Sequence, residues 1–240
     1  MISNCECGGT GWVVNRNGCY IRCKCYEIER AKKLWSEYGV KQEEVKKIND
    51  YEVYNPTTEK AKRIAIKYIK SFKDNNFFKV KENWLVLMGQ PGGGKTHIAV
   101  GAGAALLDMN IPTIYMPYLE VIRKLKANSM DDDYYLKIIE KYKKAKVLII
   151  DDLFKEKIRK GILIGNINES DMKHIYPILN YRYFNHLPTI ISTECDTTNL
   201  LDLDEALAGR ILECCENFNI TFKDNCNYRL RKYRESENYE

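Results

Sequence analysis

Two short strings hold the residues whose types and spacing can do chemistry. Residues 89–96 read G-Q-P-G-G-G-K-T, and residues 146–152 read K-V-L-I-I-D-D. In the first, Gly89, Gly92, Gly93 and Gly94 permit positive φ, so successive backbone N–H groups can curl round an anion. Lys95 then reaches the outer phosphates of a nucleoside triphosphate, and the Thr96 hydroxyl holds Mg²⁺. Gln90, Pro91 and His97 complete the expected nucleotide-contacting turn. In the second string, Asp151 and Asp152 follow a wholly apolar run. Asp151 is the expected Mg²⁺ partner, through Thr96 or a water, and Asp152 the residue expected to orient an attacking water. Aspartate is one methylene shorter than glutamate, so hydrolysis is expected to be slow, not well above the common enzyme median of ~10 s⁻¹.

These side chains work only if regular elements hold them. Residues 83–88 (N-W-L-V-L-M) form an apolar run of strand length, and T-H-I-A-V-G-A-G-A-A-L-L after the loop reads as a helix. Gly101 and Gly103 fall inside that helix, where close packing on a sheet explains them. Five strands are expected, at 84–88, 112–116, 147–150, 189–193 and 218–222, with helices at 118–127, 133–144, 171–185 and 204–213 between them. This alternation predicts an α/β fold, a five-stranded parallel sheet flanked by helices. The acidic strand comes third, which fits the P-loop ATPases that carry an additional strand beside the phosphate-loop strand. An amphipathic helix over 59–72, capped by Thr57 or Thr58, leads in, and residues 26–50 read as one or two exposed helices broken near Gly39. The boundary between two units is placed near Pro56. Residues 1–55 form a small N-terminal unit and residues 56–240 the nucleotide-binding domain.

Five of the nine cysteines lie in the first 25 residues. C-E-C at 5–7 and C-K-C at 23–25 flank a stretch that reads as strand, turn, strand, so Cys5, Cys7, Cys23 and Cys25 can close round one tetrahedral Zn²⁺, with Cys19 the spare. A unit this small lacks a core of its own, and a structural metal would supply its folding energy. Four thiolates complete the coordination shell, which leaves the metal no catalytic position.

At 45% hydrophobic and 30% charged residues the composition is that of a globular chain. No apolar run approaches the ~20 residues that span a bilayer. The N-terminal M-I-S-N-C-E-C lacks a basic-then-apolar leader pattern, so the expected location is cytoplasmic, with no membrane partner. A net charge of +5 permits nucleic-acid contact without arguing for it. The basic runs K-Y-K-K-A-K (141–146) and K-E-K-I-R-K (155–160) are equally compatible with a phosphate backbone and with a solvated face.

With the Cys-rich start containing G-G-T-G-W-V, the phosphate loop and I-I-D-D-L-F, the chain resembles the DnaC/DnaI-type replicative helicase loaders. These are a branch of the AAA+ ATPases that also includes the IstB transposition helpers. The more specific strings are I-L-N-Y-R-Y-F-N-H-L-P-T-I-I-S-T-E (178–194) and L-L-D-L-D-E-A-L-A-G-R-I-L (200–212). The resemblance implies a lidless AAA+ domain that hydrolyses ATP with Mg²⁺. It places a sensor of the γ-phosphate at Thr193 or Glu194, where the family usually has Asn; ionised Glu accepts hydrogen bonds but cannot donate them. Arg210 matches the arginine finger that reaches a neighbouring subunit's nucleotide, the alternative being a surface salt bridge. Arg229 matches a second sensor. The implied partners are a DnaB-type replicative helicase, gripped by the N-terminal zinc unit, single-stranded DNA, and further copies of the chain in an ATP-dependent oligomer. The competing expectations are an IstB-like helper of a transposase, which typically lacks the zinc unit, and an interaction protein for which nucleotide is only a structural switch. A small-molecule kinase would share the loop but leaves the Arg210 segment unexplained.

Overall fold

The computed structural model describes residues 5–159, 161–167, 169–223 and 227–228. Strands β1 (Trp12–Val14) and β2 (Tyr20–Arg22) form an antiparallel hairpin at the N-terminus, followed by helix α1 (Lys24–Tyr38) and α2 (Pro56–Ser71). The body then runs β3 (Leu85–Gly89), α3 (Lys95–Asp108), β4 (Thr113–Pro117), α4 (Tyr118–Ala127), α5 (Asp132–Lys143) and β5 (Val147–Leu153). A small hairpin, β6 (Ile158–Arg159) and β7 (Ile162–Leu163), leads to α6 (Glu169–Phe184), β8 (Thr189–Thr193), α7 (Thr197–Leu203), α8 (Glu205–Cys214) and β9 (Asn219–Phe222).

The five long strands are all parallel, in the order β4-β5-β8-β3-β9. Strand β8 therefore lies between the phosphate-loop strand and the acidic strand, as the additional-strand reading requires. Side chains alternate across the sheet. Trp84, Val86, Met88, Leu148, Ile150 and Ile191 join the core on the side of α4, α5, α6 and α8. Leu85, Leu87, Ile149, Ile190 and Ile220 join the core on the side of α1, α2 and α3. Both faces are covered, which is why these strands read as unbroken apolar runs. Leu34, Tyr38, Ile48 and Tyr51 belong to the second core, so residues 34–51 pack with the body of the fold.

Several local expectations are corrected. Helix α2 is capped by Asn55, whose side chain accepts from Thr58 N at 2.8 Å, while Thr58 Oγ1 accepts from Asn55 N at 3.1 Å. Thr58 is thus the reciprocal partner in the cap, three residues in. After Gly39 closes α1 in left-handed backbone (φ 94°), residues 42–50 form two short 3-10 turns in place of a second helix. Gly103 sits where a Cβ would meet Ile149 and Tyr38 at 2.4 and 2.5 Å, so helix α3 lies close on the sheet there as expected. A Cβ at Gly101 would instead meet Lys46 O and Ile48, so that glycine makes room for the turn over 46–48 and not for the sheet.

Candidate functional site

The loop between β3 and α3 forms a bowl of backbone. Gly92 and Gly94 both have φ of 83°, which only glycine adopts freely. Gly93 does not need positive φ, contrary to expectation; a Cβ there would lie 2.6 Å from the Phe222 ring, so its constraint is space. Tyr51 donates its hydroxyl to Gly93 O at 2.7 Å and braces the loop from the N-terminal side. Lys95 is buried, and its ammonium donates to Gly89 O and Gln90 O at 2.6 and 2.7 Å. Desolvation pulls it down to about 8; the nearby Asp152 charge opposes this and the Lys155 charge adds to it.

Asp151, at the end of β5, collects three hydroxyl donors. Thr96 Oγ1 donates to Oδ1 at 3.0 Å, Ser192 Oγ donates to the same oxygen, and Tyr115 donates to Oδ2 at 2.8 Å. Burial, then the Asp151 charge, pushes the Tyr115 hydroxyl well above its usual range, so it remains a donor. Ser192 Oγ in turn accepts from Asp152 N at 2.9 Å. Asp152 has φ of 58° and Phe154 has φ of 59°, and the β5–β8 register shifts between Ile150 and Leu153. This irregular strand end re-aims the side chains that follow the apolar run.

A cleft of about 320 Å³ opens beside the loop. Its lining includes Gly92, Gly93, Gly94, Lys95, Thr96, His97, Asp152, Lys155, Glu194, and Tyr51, Tyr54 and Tyr228. Of the two residues proposed for the sensor position, Thr193 is buried with its hydroxyl donated to Leu153 O at 2.7 Å, whereas Glu194 faces the cleft and pairs with Lys155. His97 lines the cleft, with Nε2 2.9 Å from Lys47 O and its ring edge-on to Tyr51. Gln90 turns its amide to Lys223 O at 3.3 Å and contributes backbone only. Arg210 is not part of this cleft: it lies on α8, beside Tyr176 and Tyr183, with one N–H donated to Ala206 O. Arg229 lies outside the described residues. Tyr51, Tyr115, Ser192, Lys155 and Tyr228 were not expected from the sequence. Tyr115 and Ser192 do lie in two of the expected strands, on the neighbours of β5 that a parallel sheet brings against Asp151.

The chemistry available is that of a nucleoside triphosphate site. A glycine loop at a helix N-terminus and a buried ammonium suit phosphates. The Thr96 hydroxyl and Asp151 carboxylate, brought to one point, are hard oxygen donors of the kind Mg²⁺ takes.

At the far end, Cys5, Cys7, Cys23 and Cys25 place their four sulfurs within 4.8 Å of one another, with Cys5 and Cys23 at 3.2 Å and Cys7 and Cys25 at 3.3 Å. Four thiolates on a tetrahedral Zn²⁺ would stand roughly 3.8 Å apart, from a Zn–S bond of about 2.3 Å. The donor set is all sulfur, which suits zinc. A hydrogen bond from the Cys25 thiol, then one from the Gly11 backbone, lowers Cys7 to about 6 and favours its thiolate. Cys19 is exposed and stands outside the group.

The family model described as IstB-like ATP binding protein matches residues 35–236. The chain is similar to YqaM of Bacillus subtilis (strain 168), 31% identical over 221 residues, covering 87% of this chain and 66% of that protein. It is similar to the ATP-binding protein of insertion sequence IS21 of Pseudomonas aeruginosa, 29% identical over 107 residues, covering 45% of this chain and 36% of that one. It thus spans less than two thirds of the length of these curated relatives. Among solved structures, the crystal structure of DnaI is similar in fold at 21% identity, with a TM-score of 0.60 over 81% of this chain and 99% of that one.

Proposed function

Because this chain belongs to the family of IstB-like ATP binding proteins, we propose that it is an ATPase that loads a DnaB-type replicative helicase onto single-stranded DNA. The observation that carries this reading is the four-thiol cluster joined to a nucleotide cleft in one chain. The cleft supplies an ATP-driven change of state, and the cysteine unit supplies a compact surface for a protein partner. Of the residues ahead of the boundary near 55, the cysteine unit takes the partner-binding role, while residues 34–51, packed on the body, support the ATPase role of residues 56–240.

In the cleft, the loop N–H groups and Lys95 hold the phosphates. Thr96 and Asp151 are the residues that would hold Mg²⁺, which would supply charge neutralisation for the phosphates. Ser192 and Tyr115 fix the Asp151 carboxylate so that it need not reorganise on binding. Asp152 orients the attacking water, and Glu194, which faces the cleft, reports on its contents. Arg210, absent from its own cleft, serves the cleft of an adjacent copy. In the cysteine unit, Cys5, Cys7, Cys23 and Cys25 hold a structural Zn²⁺.

A second reading is favoured by the IS21 relative: the same ATPase would assist a transposase. The two readings separate in a pull-down of the full chain with the replicative helicase of its own organism, with and without ATP. The wild type and a Cys7→Ala/Cys25→Ala variant are compared. Capture that needs both ATP and intact cysteines supports the loader. No capture under any condition sinks it and puts the transposase reading first.

A further inference from the structure

The cleft contains a cation, Lys155, to which the nucleotide roles above assign nothing. Glu194 is 8% exposed, faces a cavity that must take a polyanion, and is ion-paired with Lys155. An uncompensated carboxylate there would repel phosphate, and a buried one without a partner is costly. Lys155 solves both problems. It opens the turn after Phe154, whose left-handed backbone is held by a buried ring packed edge-on to Tyr118 at 5.7 Å. The two left-handed residues, Asp152 and Phe154, turn the chain so that Lys155 enters the cleft.

We propose that Lys155, held in place by Glu194, is a contact for the terminal phosphate of a nucleoside triphosphate, and that it lets the cleft distinguish triphosphate from diphosphate. The proposal rests on the ATP-binding reading above and deepens it. An ammonium has three N–H donors. Glu194 takes part of that capacity and leaves donors for the ligand. Lys155 is also close enough to Lys95 for its charge to act on it. Two ammonium groups on one cavity repel each other until an anion lies between them. The loop N–H groups and Lys95 serve both nucleotides, so a second cation on the cleft is placed for the third phosphate, the group a diphosphate lacks.

The test is equilibrium binding of ADP and of a non-hydrolysable ATP analogue, each with Mg²⁺, to the full chain. Lys155→Ala is expected to weaken the triphosphate analogue about tenfold or more beyond any loss for ADP, the scale of a charged hydrogen bond, because the unpaired Glu194 carboxylate repels both nucleotides alike. Retained ADP binding also shows that the variant is folded. Lys155→Arg should retain most of the preference. The Lys155→Ala/Glu194→Gln double variant should stay weak for the triphosphate. Its recovery to wild-type affinity would mean that Lys155 only neutralises Glu194, and would overturn the contact. Equal losses for both nucleotides in Lys155→Ala, or no loss for either, would overturn it too. A wild-type chain that bound neither nucleotide would bring down the ATP-binding reading itself, and the proposal with it.

Discussion

Thr96 Oγ1 donates a 3.0 Å hydrogen bond to Asp151 Oδ1, joining the first turn of α3 to the end of β5. Two hydroxyls from the flanking strands complete the shell, Tyr115 from β4 and Ser192 from β8. All three neighbours donate, so the site is built for an acceptor-only side chain. Asp151→Asn keeps the shape but turns one acceptor into a donor that faces another donor. Mg²⁺-dependent ATP affinity is expected to fall ~10–100-fold, the usual scale for disturbing metal-orienting groups. Titration of ATP with and without Mg²⁺ checks this; equal weakening in both would remove Asp151 from the metal's environment.

Lys95 makes nucleotide affinity depend on pH. Burial lowers its ammonium to about 8 in the free protein. A bound triphosphate favours the charged form and raises that value. Below pH 8 the lysine is charged in both states and contributes no pH dependence. Above pH 8 the free protein has lost the proton that the complex holds, so binding takes up a proton and affinity falls, by up to about tenfold per pH unit. Calorimetry at pH 7 and pH 9 in buffers of different ionisation enthalpy measures the uptake. Lys95→Met should abolish it along with most of the affinity.

Arg182 is fully buried and its guanidinium is the clamp between α5, α6 and β8. It donates to Tyr142 O, Lys143 O, Ala145 O and Pro188 O, and to Thr189 Oγ1 at 2.9 Å. Arg182→Met removes the donor to Tyr142 O, Lys143 O and Ala145 O, at ~1–3 kcal/mol each, whereas Pro188 O keeps the N–H of Leu148. A total loss of at least ~3 kcal/mol is expected, with a fall in Tm of roughly 6–12 °C for a domain of this size. Thermal unfolding reads it directly, and a variant as stable as wild type would show that water replaces the guanidinium.

Arg182 also marks where the sequence stops being legible. The strands, the loop, Lys95, Thr96 and the acidic pair were readable because each depends on a local pattern: apolar runs, glycine spacing, a strand that ends on carboxylates. The four cysteines were readable from spacing alone, and their sulfurs do converge. What could not be read depends on contacts across the sheet. Tyr115 and Ser192 reach Asp151 only because β4 and β8 flank β5. Lys155 looked like one member of a basic run until Phe154 turned it into the cleft. Thr58 looked like a cap because the true cap, Asn55, stands before a proline that occupies the first helical position.

The cysteine unit has little besides its sulfurs to hold it. Its cluster of buried apolar groups consists of Cys7, Cys23 and Cys25, with Cys5 and Val13 packed against them. A structural zinc contributes on the order of 10 kcal/mol of folding free energy in units of this kind. The purified chain is therefore expected to carry one zinc, measured by elemental analysis. Removing it with a strong chelator should expose the segment before Leu34 to protease, while residues 34–51 stay packed on the body and nucleotide binding persists. Cys25→Ser should reproduce that cleavage without chelator, whereas Cys19→Ser should not. A metal-free chain with a protease-resistant N-terminus would overturn the assignment.

Arg210 gives the sharpest test of assembly. It is on α8, outside the cleft of its own chain, and its guanidinium lies 5.5 and 5.7 Å from the Tyr176 and Tyr183 ring centres. If it serves a neighbour's nucleotide, Arg210→Ala leaves ATP affinity near wild type yet lowers turnover ~10³-fold, the scale of an arginine supplied between subunits. The decisive measurement mixes two inactive chains. Lys95→Ala cannot hold ATP but still presents Arg210; Arg210→Ala holds ATP but lacks the finger. Only when the finger acts between chains does their mixture form complete sites, each with ATP in the Arg210→Ala chain and arginine from the Lys95→Ala chain. Turnover should therefore reappear on mixing and rise with protein concentration. If the mixture stays as inactive as its parts while wild type turns over, Arg210 is a surface residue resting on its two tyrosines.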